Sequence, residues 1–249
     1  MNLTALIIAK NEESKIEICL KSLNFVDNIV VVLDRTTDST KDICQKFTSN
    51  IFEGSWKSEP HRRNFGISKC DTKWIVEIDA DEVVTSNLAR QIKEAIKTKE
   101  FDFYYIDLIN FIGEQKILYG WMACLAPEGK FSLFRKNSKK WIKGSVHPSY
   151  EMYGKKGPRI SEPLLHFMSQ DLSELFDRFN RNTSLHAIDL RKQNISLRKF
   201  LSLRKIISRF LKCYISRQGF RSGSTGLLIG ILSALYPLVS AKKSIEERD

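Results

Sequence analysis

Trp74-Ile75-Val76-Glu77-Ile78-Asp79-Ala80-Asp81-Glu82-Val83-Val84 is an apolar, strand-forming run that delivers three carboxylates, Asp79, Asp81 and Glu82, where it stops. Side chains two apart on an extended chain share a face, so Asp79 and Asp81 are expected to aim at one small volume beyond the strand end. Two carboxylates that close repel unless a cation lies between them, and an oxygen-only pair suits Mg²⁺ or Mn²⁺. The carboxyl end of a strand in an open α/β sheet is also where ligands bind. An isolated Asp-x-Asp is too short to decide the matter, because an acidic, solvated turn that caps a helix has the same signature. The preceding residues decide it.

Working back from Trp74, His61 to Cys70 reads as helical and Ile51-Phe52 as a brief strand. Asn28 to Leu33 is a strand ending at Asp34, and the polar turn Arg35 to Thr40 after it offers a good N-cap for a helix through Ile43, Cys44 and Phe47. Ile16, Cys19, Leu20 and Leu23 fall at helical spacing, and Leu3 to Ile8 is a buried strand followed by Ala9-Lys10-Asn11-Glu12-Glu13. Strand and helix alternate at short intervals, which predicts βαβ units and an α/β fold with a mainly parallel sheet. Asn11/Glu12, Asp34 and Asp79/Asp81 then lie at successive strand ends and line one edge of that sheet. No Gly-x-Gly-x-x-Gly and no Gly-x-x-x-x-Gly-Lys-Ser/Thr is present, which argues against a dinucleotide-binding Rossmann or P-loop site. The remaining route to a nucleotide is a strand-end Asp accepting hydrogen bonds from base or ribose, with a metal holding the phosphates.

These residues resemble the family 2 glycosyltransferases of the GT-A fold, and within them the branch that includes lipopolysaccharide-core glucosyltransferases. The matching stretches are Ile8 to Glu13, Val31 to Asp34 with Thr37 to Thr40, Arg63-Asn64-Phe65-Gly66, and Trp74 to Glu82, in order over the first 85 or so residues. The resemblance implies a UDP-sugar donor held by Ala9, Asn11, Glu12, Asp34, Arg63, Asn64, Asp79 and Ala80, with Asp34 on the uracil or ribose. It implies Mg²⁺ or Mn²⁺ on Asp81 and Asp79, and inversion by direct displacement.

Beyond residue 100 the motifs thin out. Phe101 to Ile106 and Phe131 to Arg135 read as strands, and Phe134-Arg135 followed by Trp141 and His147 resembles the acceptor half of related enzymes. Many relatives carry Glu directly after that His, whereas this chain has Pro148, with Glu151 three residues further on. His147 is a candidate base, metal ligand or loop hydrogen-bonder, and Glu151 a candidate base. Glu162 and His166 are further candidates. With Asp79 and Asp81, His147 and Glu151 make up the expected catalytic set.

The chain has 249 residues and a net charge of +11. Residues 190–245 contain twelve Lys or Arg and no Asp or Glu, so the remainder carries 28 basic and 29 acidic residues. That asymmetry predicts a polyanionic surface met by the C-terminal part. From Leu197 to Ile215, apolar residues recur at helical spacing with basic residues between them, as in a basic amphipathic helix. Gly226 to Val239 is an apolar stretch short of the ~20 residues of a spanning helix, and reads as interfacial or re-entrant. Three parts follow: 1–100 for the nucleotide sugar, 101–190 for the acceptor, and 191–249 as a basic, membrane-associating helical appendage.

The expected partners are a UDP-sugar, a glycan or glycolipid acceptor such as a lipopolysaccharide core, and an anionic membrane through residues 191–243. The expected location is cytoplasmic, peripheral on the inner membrane face, since Met1-Asn2-Leu3-Thr4 enters a strand without a signal peptide. The five scattered cysteines predict no disulfides. Nucleic acid is not expected, because Phe200, Phe210 and Tyr214 belong to the apolar stripe rather than to a stacking surface. A non-catalytic nucleotide-sugar or membrane-binding scaffold of the same fold is the alternative.

Overall fold

The computed structural model describes residues 2–121, 123–142, 149–192, 200 and 202–246. In chain order the elements are β1 (Leu3–Ala9), α1 (Ile16–Lys21), β2 (Asn28–Asp34), α2 (Thr40–Gln45), β3 (Ile51–Gly54), α3 (Glu59–Lys69), β4 (Trp74–Asp79), β5 (Glu82–Val83) and α4 (Ser86–Ala95). They continue with β6 (Phe103–Ile112), β7 (Gln115–Ile117), β8 (Gly129–Arg135), β9 (Lys139–Trp141), β10 (Tyr150–Met152), β11 (Ile160–Ser169), α5 (Leu172–Lys192), α6 (Leu203–Leu211) and α7 (Gly223–Glu246).

The alternation up to β4 produces the expected βαβ units. β3, β2, β1 and β4 lie side by side in that order, all parallel. β1 is buried throughout, as befits a strand covered on both faces. Its residues divide between two cores with period two: Leu3, Ala5 and Ile7 join Val31 and Ile78 on one face, and Leu6 and Ile8 join Val30, Val32 and Ile75 on the other. From β4 onward the sheet becomes antiparallel, with β8 against β4 and β6 against β8. β11 and β5 complete the far side, antiparallel to each other, and β7 pairs with β6. β9 and β10 form a separate antiparallel pair. The fold is therefore mixed α/β and GT-A-like.

The chain divides into two compact units whose segments interleave along the sequence. The first takes the described residues of Met1–Leu108, Gly129–Gly144 and Pro148–His166; the second takes those of Ile109–Glu128 and Phe167–Asp249. The reason is that β6 and β11 are long strands, each contributing to both.

The second unit has its own apolar cluster, in which Ile112, Ile117, Trp121 and Leu125 meet Met168, Leu175, Cys213, Ile229 and Leu232. The apolar stretch Gly226–Val239 is the middle of α7, which runs 24 residues through Pro237. At ~1.5 Å per residue that is about 36 Å, long and apolar enough to cross a bilayer. Yet 56% of its most apolar window is buried inside the protein. Tyr236 meets Phe179 edge-on at 6.0 Å and stacks on His186 at 5.5 Å, and Lys243 Nζ donates to the Asn180 carbonyl at 2.8 Å. α7 is thus a core helix of this unit, and the greater length comes from the mostly polar residues Gly223 to Thr225 and Ser240 to Glu246 that flank the apolar stretch.

Candidate active site

The parallel register brings the predicted strand ends together. Ile8 lies opposite Asp79 and Ala9 opposite Leu33, so Ala9, Asn11, Asp34 and Asp79 share one edge of the sheet. Asn11 and Arg35, the residues that turn the chain away from β1 and β2, both adopt a left-handed backbone with φ of +53°. Such strain in non-glycine residues persists where the surroundings over-determine it. Here the two turns are stitched together: Asn11 Oδ1 accepts from the Thr37 amide at 2.8 Å, and the Glu12 amide donates to Thr40 Oγ1 at 2.8 Å. The Ser39 amide donates to Glu13 Oε2 at 2.9 Å. The matching stretches Ile8–Glu13 and Thr37–Thr40 hold one another in place.

Asp34 is buried and gripped by two arginines, Arg35 Nε at 3.0 Å and Arg62 at 3.1 Å from α3. Burial alone would raise its carboxyl, but the Arg35 hydrogen bond and the Arg62 charge hold it below the usual carboxylate value. α3 can approach this closely because Gly66 faces β1: a Cβ there would come within 2.7 Å of Leu6 Cδ1 and 3.1 Å of Ile8 Cδ1. Gly66 in the Arg63-Asn64-Phe65-Gly66 stretch is a packing glycine that sets Arg62 and Arg63 over the strand ends. Arg63 bonds Glu59 (2.7 Å), Glu77 (2.8 Å) and Asp79 (3.1 Å) and covers the Trp141 ring. Asn64 is drawn elsewhere. Its amide donates to the Trp141 carbonyl at 2.8 Å and accepts from the Trp141 amide at 3.0 Å, which ties α3 to β9.

Asp79 and Asp81 meet different partners. β4 ends at Asp79, and Ala80-Asp81 form a turn into β5, so the two-residue alternation of an extended strand lapses there. Both oxygens of Asp79 are met by cations, Arg63 at 3.1 Å and Lys130 Nζ at 2.8 Å. Burial opposes its charge, yet Lys130 and Arg63 hold the carboxyl well below the usual range. Lys130 also bonds Glu82 Oε2 at 2.7 Å, and the other donor to that oxygen is the Asp79 amide at 2.8 Å. Glu82 is fully buried, and burial lifts its carboxyl to about 7 despite Lys130.

Asp81 turns to β11 instead. β5 pairs with β11 so that Glu82 lies opposite His166, and Asp81 Oδ2 sits 3.2 Å from His166 Nε2. No group of three or more His, Cys, Asp or Glu with metal-holding geometry occurs among the described residues. The Asp81 carboxylate is an oxygen ligand of the kind Mg²⁺ and Mn²⁺ take, with positions left for phosphate oxygens and water, and the His166 imidazole beside it suits Mn²⁺ better than Mg²⁺. A closed structural site needs more protein ligands.

Glu151 lies on β10, exposed, and accepts from the Tyr153 hydroxyl. His147 lies outside the described residues. Arg62, Lys130 and Lys139 were missed by the sequence reading. Lys130 is a basic residue near the start of the largely apolar strand β8, a pattern that signals a buried acidic partner without naming it, whereas Lys139 opens the Lys-Lys-Trp strand β9 and gives no such signal.

The profile of the family described as Glycosyl transferase family 2 matches residues 4–156, which spans β1 through β10 and nearly all of these side chains. The chain belongs to glycosyl transferase family 2. This glycosyltransferase is 27% identical over 247 residues to an uncharacterized glycosyltransferase of Rickettsia typhi, covering 93% of this chain and 82% of the relative. It is 24% identical over 255 residues to the lipopolysaccharide core biosynthesis glycosyltransferase LpsC of Rhizobium meliloti, covering 97% and 91%. Among solved structures, S. aureus TarS residues 1–349 in complex with UDP-GlcNAc shares the fold, with a TM-score of 0.52 at 14% identity over 99% of this chain and 89% of that one.

Proposed function

We propose that this glycosyltransferase moves a sugar, with inversion, from a UDP-sugar to a hydroxyl of a lipid-linked or cell-envelope glycan of the lipopolysaccharide-core kind. The observation that carries the reading is the Asp81–His166 pair at the end of β4, on the edge where Asp34 is held by Arg35 and Arg62. The relationship to LpsC supports the acceptor class, and the UDP-GlcNAc complex of TarS supports the donor class.

In this reading Asp34 accepts hydrogen bonds from the uracil or ribose, and Arg62 and Arg35 keep it ionised for that purpose. Asp81 and His166 would hold the metal, and the chemistry it would supply there is Lewis-acid neutralisation of the diphosphate leaving group. Asp79 is not needed as a ligand: with Arg63 and Lys130 it makes a fixed, charge-balanced wall that keeps the site polar and preorganised. The attacking hydroxyl must pass its proton to a base, and Glu151 is the candidate on the described residues. Inversion follows from a single displacement.

Calorimetric titration with UDP, GDP, CDP and ADP, each with and without Mn²⁺, tests the donor site. Metal-dependent preference for UDP is expected, together with loss of that preference in Asp81→Asn and in His166→Gln. Full UDP-sugar transfer by Asp81→Asn would overturn the metal assignment, and preference for another nucleotide would overturn the donor.

A further inference from the structure

One face of α6 is left uncovered by the described residues. Leu203, Ile207, Leu211 and Ile215, four apart along the helix and the turn that follows it, are 69%, 50%, 49% and 55% exposed. Spacing of four keeps side chains on one side of a helix. Arg204, Lys205 and Lys212 are exposed along the same helix and turn, and none of them is in an ion pair among the described residues.

Other positions of the helix and turn are anchored. Arg209 Nε donates to the Ser233 carbonyl of α7 at 2.8 Å, the Phe210 ring packs on Gly230 and stacks on Tyr214, and Cys213 is buried with its thiol donating to the Gly120 carbonyl at 2.6 Å. The exposed stripe therefore belongs to a seated helix. Phe220, half exposed and 6.4 Å from Tyr214, adds an aromatic group next to it.

We propose that this face docks on an anionic lipid bilayer, with α6 lying in the headgroup boundary and α7 remaining packed inside its unit. The charge of the region selects the occupant. Twelve basic residues and no acid between 190 and 245 would set like charge against like charge in a second copy, whereas an anionic lipid surface complements them. A nucleic acid would use the cations but would leave the aliphatic stripe in water. A bilayer takes both, as basic amphipathic helices do at the interface. The inference rests on charge and exposure within the second unit and not on the acceptor assigned above.

The test is sedimentation of the full chain with vesicles, in the absence of donor and acceptor. Binding is expected to vesicles of phosphatidylglycerol mixed with phosphatidylcholine, to weaken with added salt, and to be lost with phosphatidylcholine alone. Ile207→Asn/Leu211→Asn should weaken binding by about tenfold or more. Arg204→Gln/Lys205→Gln/Lys212→Gln should weaken it by about a hundredfold. Both variants replace exposed side chains and should titrate with UDP as the parent does, which separates this outcome from that of the donor test. Parent-like vesicle binding by both variants would overturn the proposal. So would conversion of a dimer to a monomer by Ile207→Asn/Leu211→Asn in light scattering, since the face would then bind a second copy.

Discussion

Asp79 faces two cations and Asp81 faces an imidazole, although one alanine separates them. The pairing sets their surroundings apart: Asp79 is balanced by two cations, and Asp81 by an imidazole. Lys130 is central to this arrangement because it bridges Asp79 and the buried Glu82. Removing one partner of a buried charge network leaves an uncompensated charge, so Lys130→Met should cost about 3–5 kcal/mol in urea denaturation, with Lys130→Arg costing clearly less. A loss below ~1 kcal/mol, as for a surface pair, would show that Lys130 does not hold the acids. The acids were legible in the sequence because each closes an apolar strand, where parallel strands expose ligands. Their partners were not. His166 stands 85 positions from Asp81 and Lys130 stands 51 from Asp79, and both arrive on strands whose antiparallel register no local pattern announces.

At the level of elements, β4 carries Glu77 in the middle of a buried run, and β9 and α3 are what make that tolerable. Lys139 Nζ bonds Glu77 at 2.6 Å and sits over the Trp141 and Tyr150 rings, while Arg63 takes the second oxygen. Burial would raise Glu77, but Lys139 and Arg63 keep it below its ordinary value. Burial pushes Lys139 down to about 8, with Arg63 and Lys130 adding repulsion against the pull of Glu77. Between about 8 and the ordinary 10.5 the unfolded chain therefore holds a proton that the folded chain lacks. The stability contribution of Lys139 is largest above that window and is lost as pH falls through about 8.

Measured at pH 8, 9 and 10, the stability of the parent relative to Lys139→Met should rise with pH, by on the order of 3 kcal/mol across the full window. A flat difference would mean that Lys139 titrates at its ordinary value. At neutral pH, Glu77→Gln and Lys139→Met should each destabilise, and the double variant should cost less than the two singles added, because it leaves no lone charge. Simple additivity would show that the pair does not act as a unit.

On the scale of the molecule, the C-terminal helices pack into the core of their own unit. Read along the sequence, the basic stripe and the apolar stretch Gly226–Val239 look separable, since helical periodicity shows that a helix has an apolar side without showing what covers it. In the structure Ile229, Leu232 and Cys213 lie against Ile112, Ile117, Trp121 and Leu125 in one cluster, and Arg217 bonds both the Trp121 carbonyl and Glu128. Half of that core comes from residues before 130, a distance that neither composition nor spacing reveals. A chain ending at residue 190 would leave Trp121, Met168 and Leu175 without their cover, and each buried apolar side chain is worth about 1.5–3 kcal/mol. Such a truncation should therefore aggregate or melt well below the parent, and Ile229→Ala in the intact chain should cost about 2–5 kcal/mol. Thermal melts followed with light scattering distinguish the cases. A soluble, monomeric 1–190 fragment with the parent's midpoint would restore the separable tail. The expected result is one in which the helices that carry the exposed basic face also complete the core of their unit, so the exposed stripe cannot be removed without unfolding that unit and has to be tested by substitution.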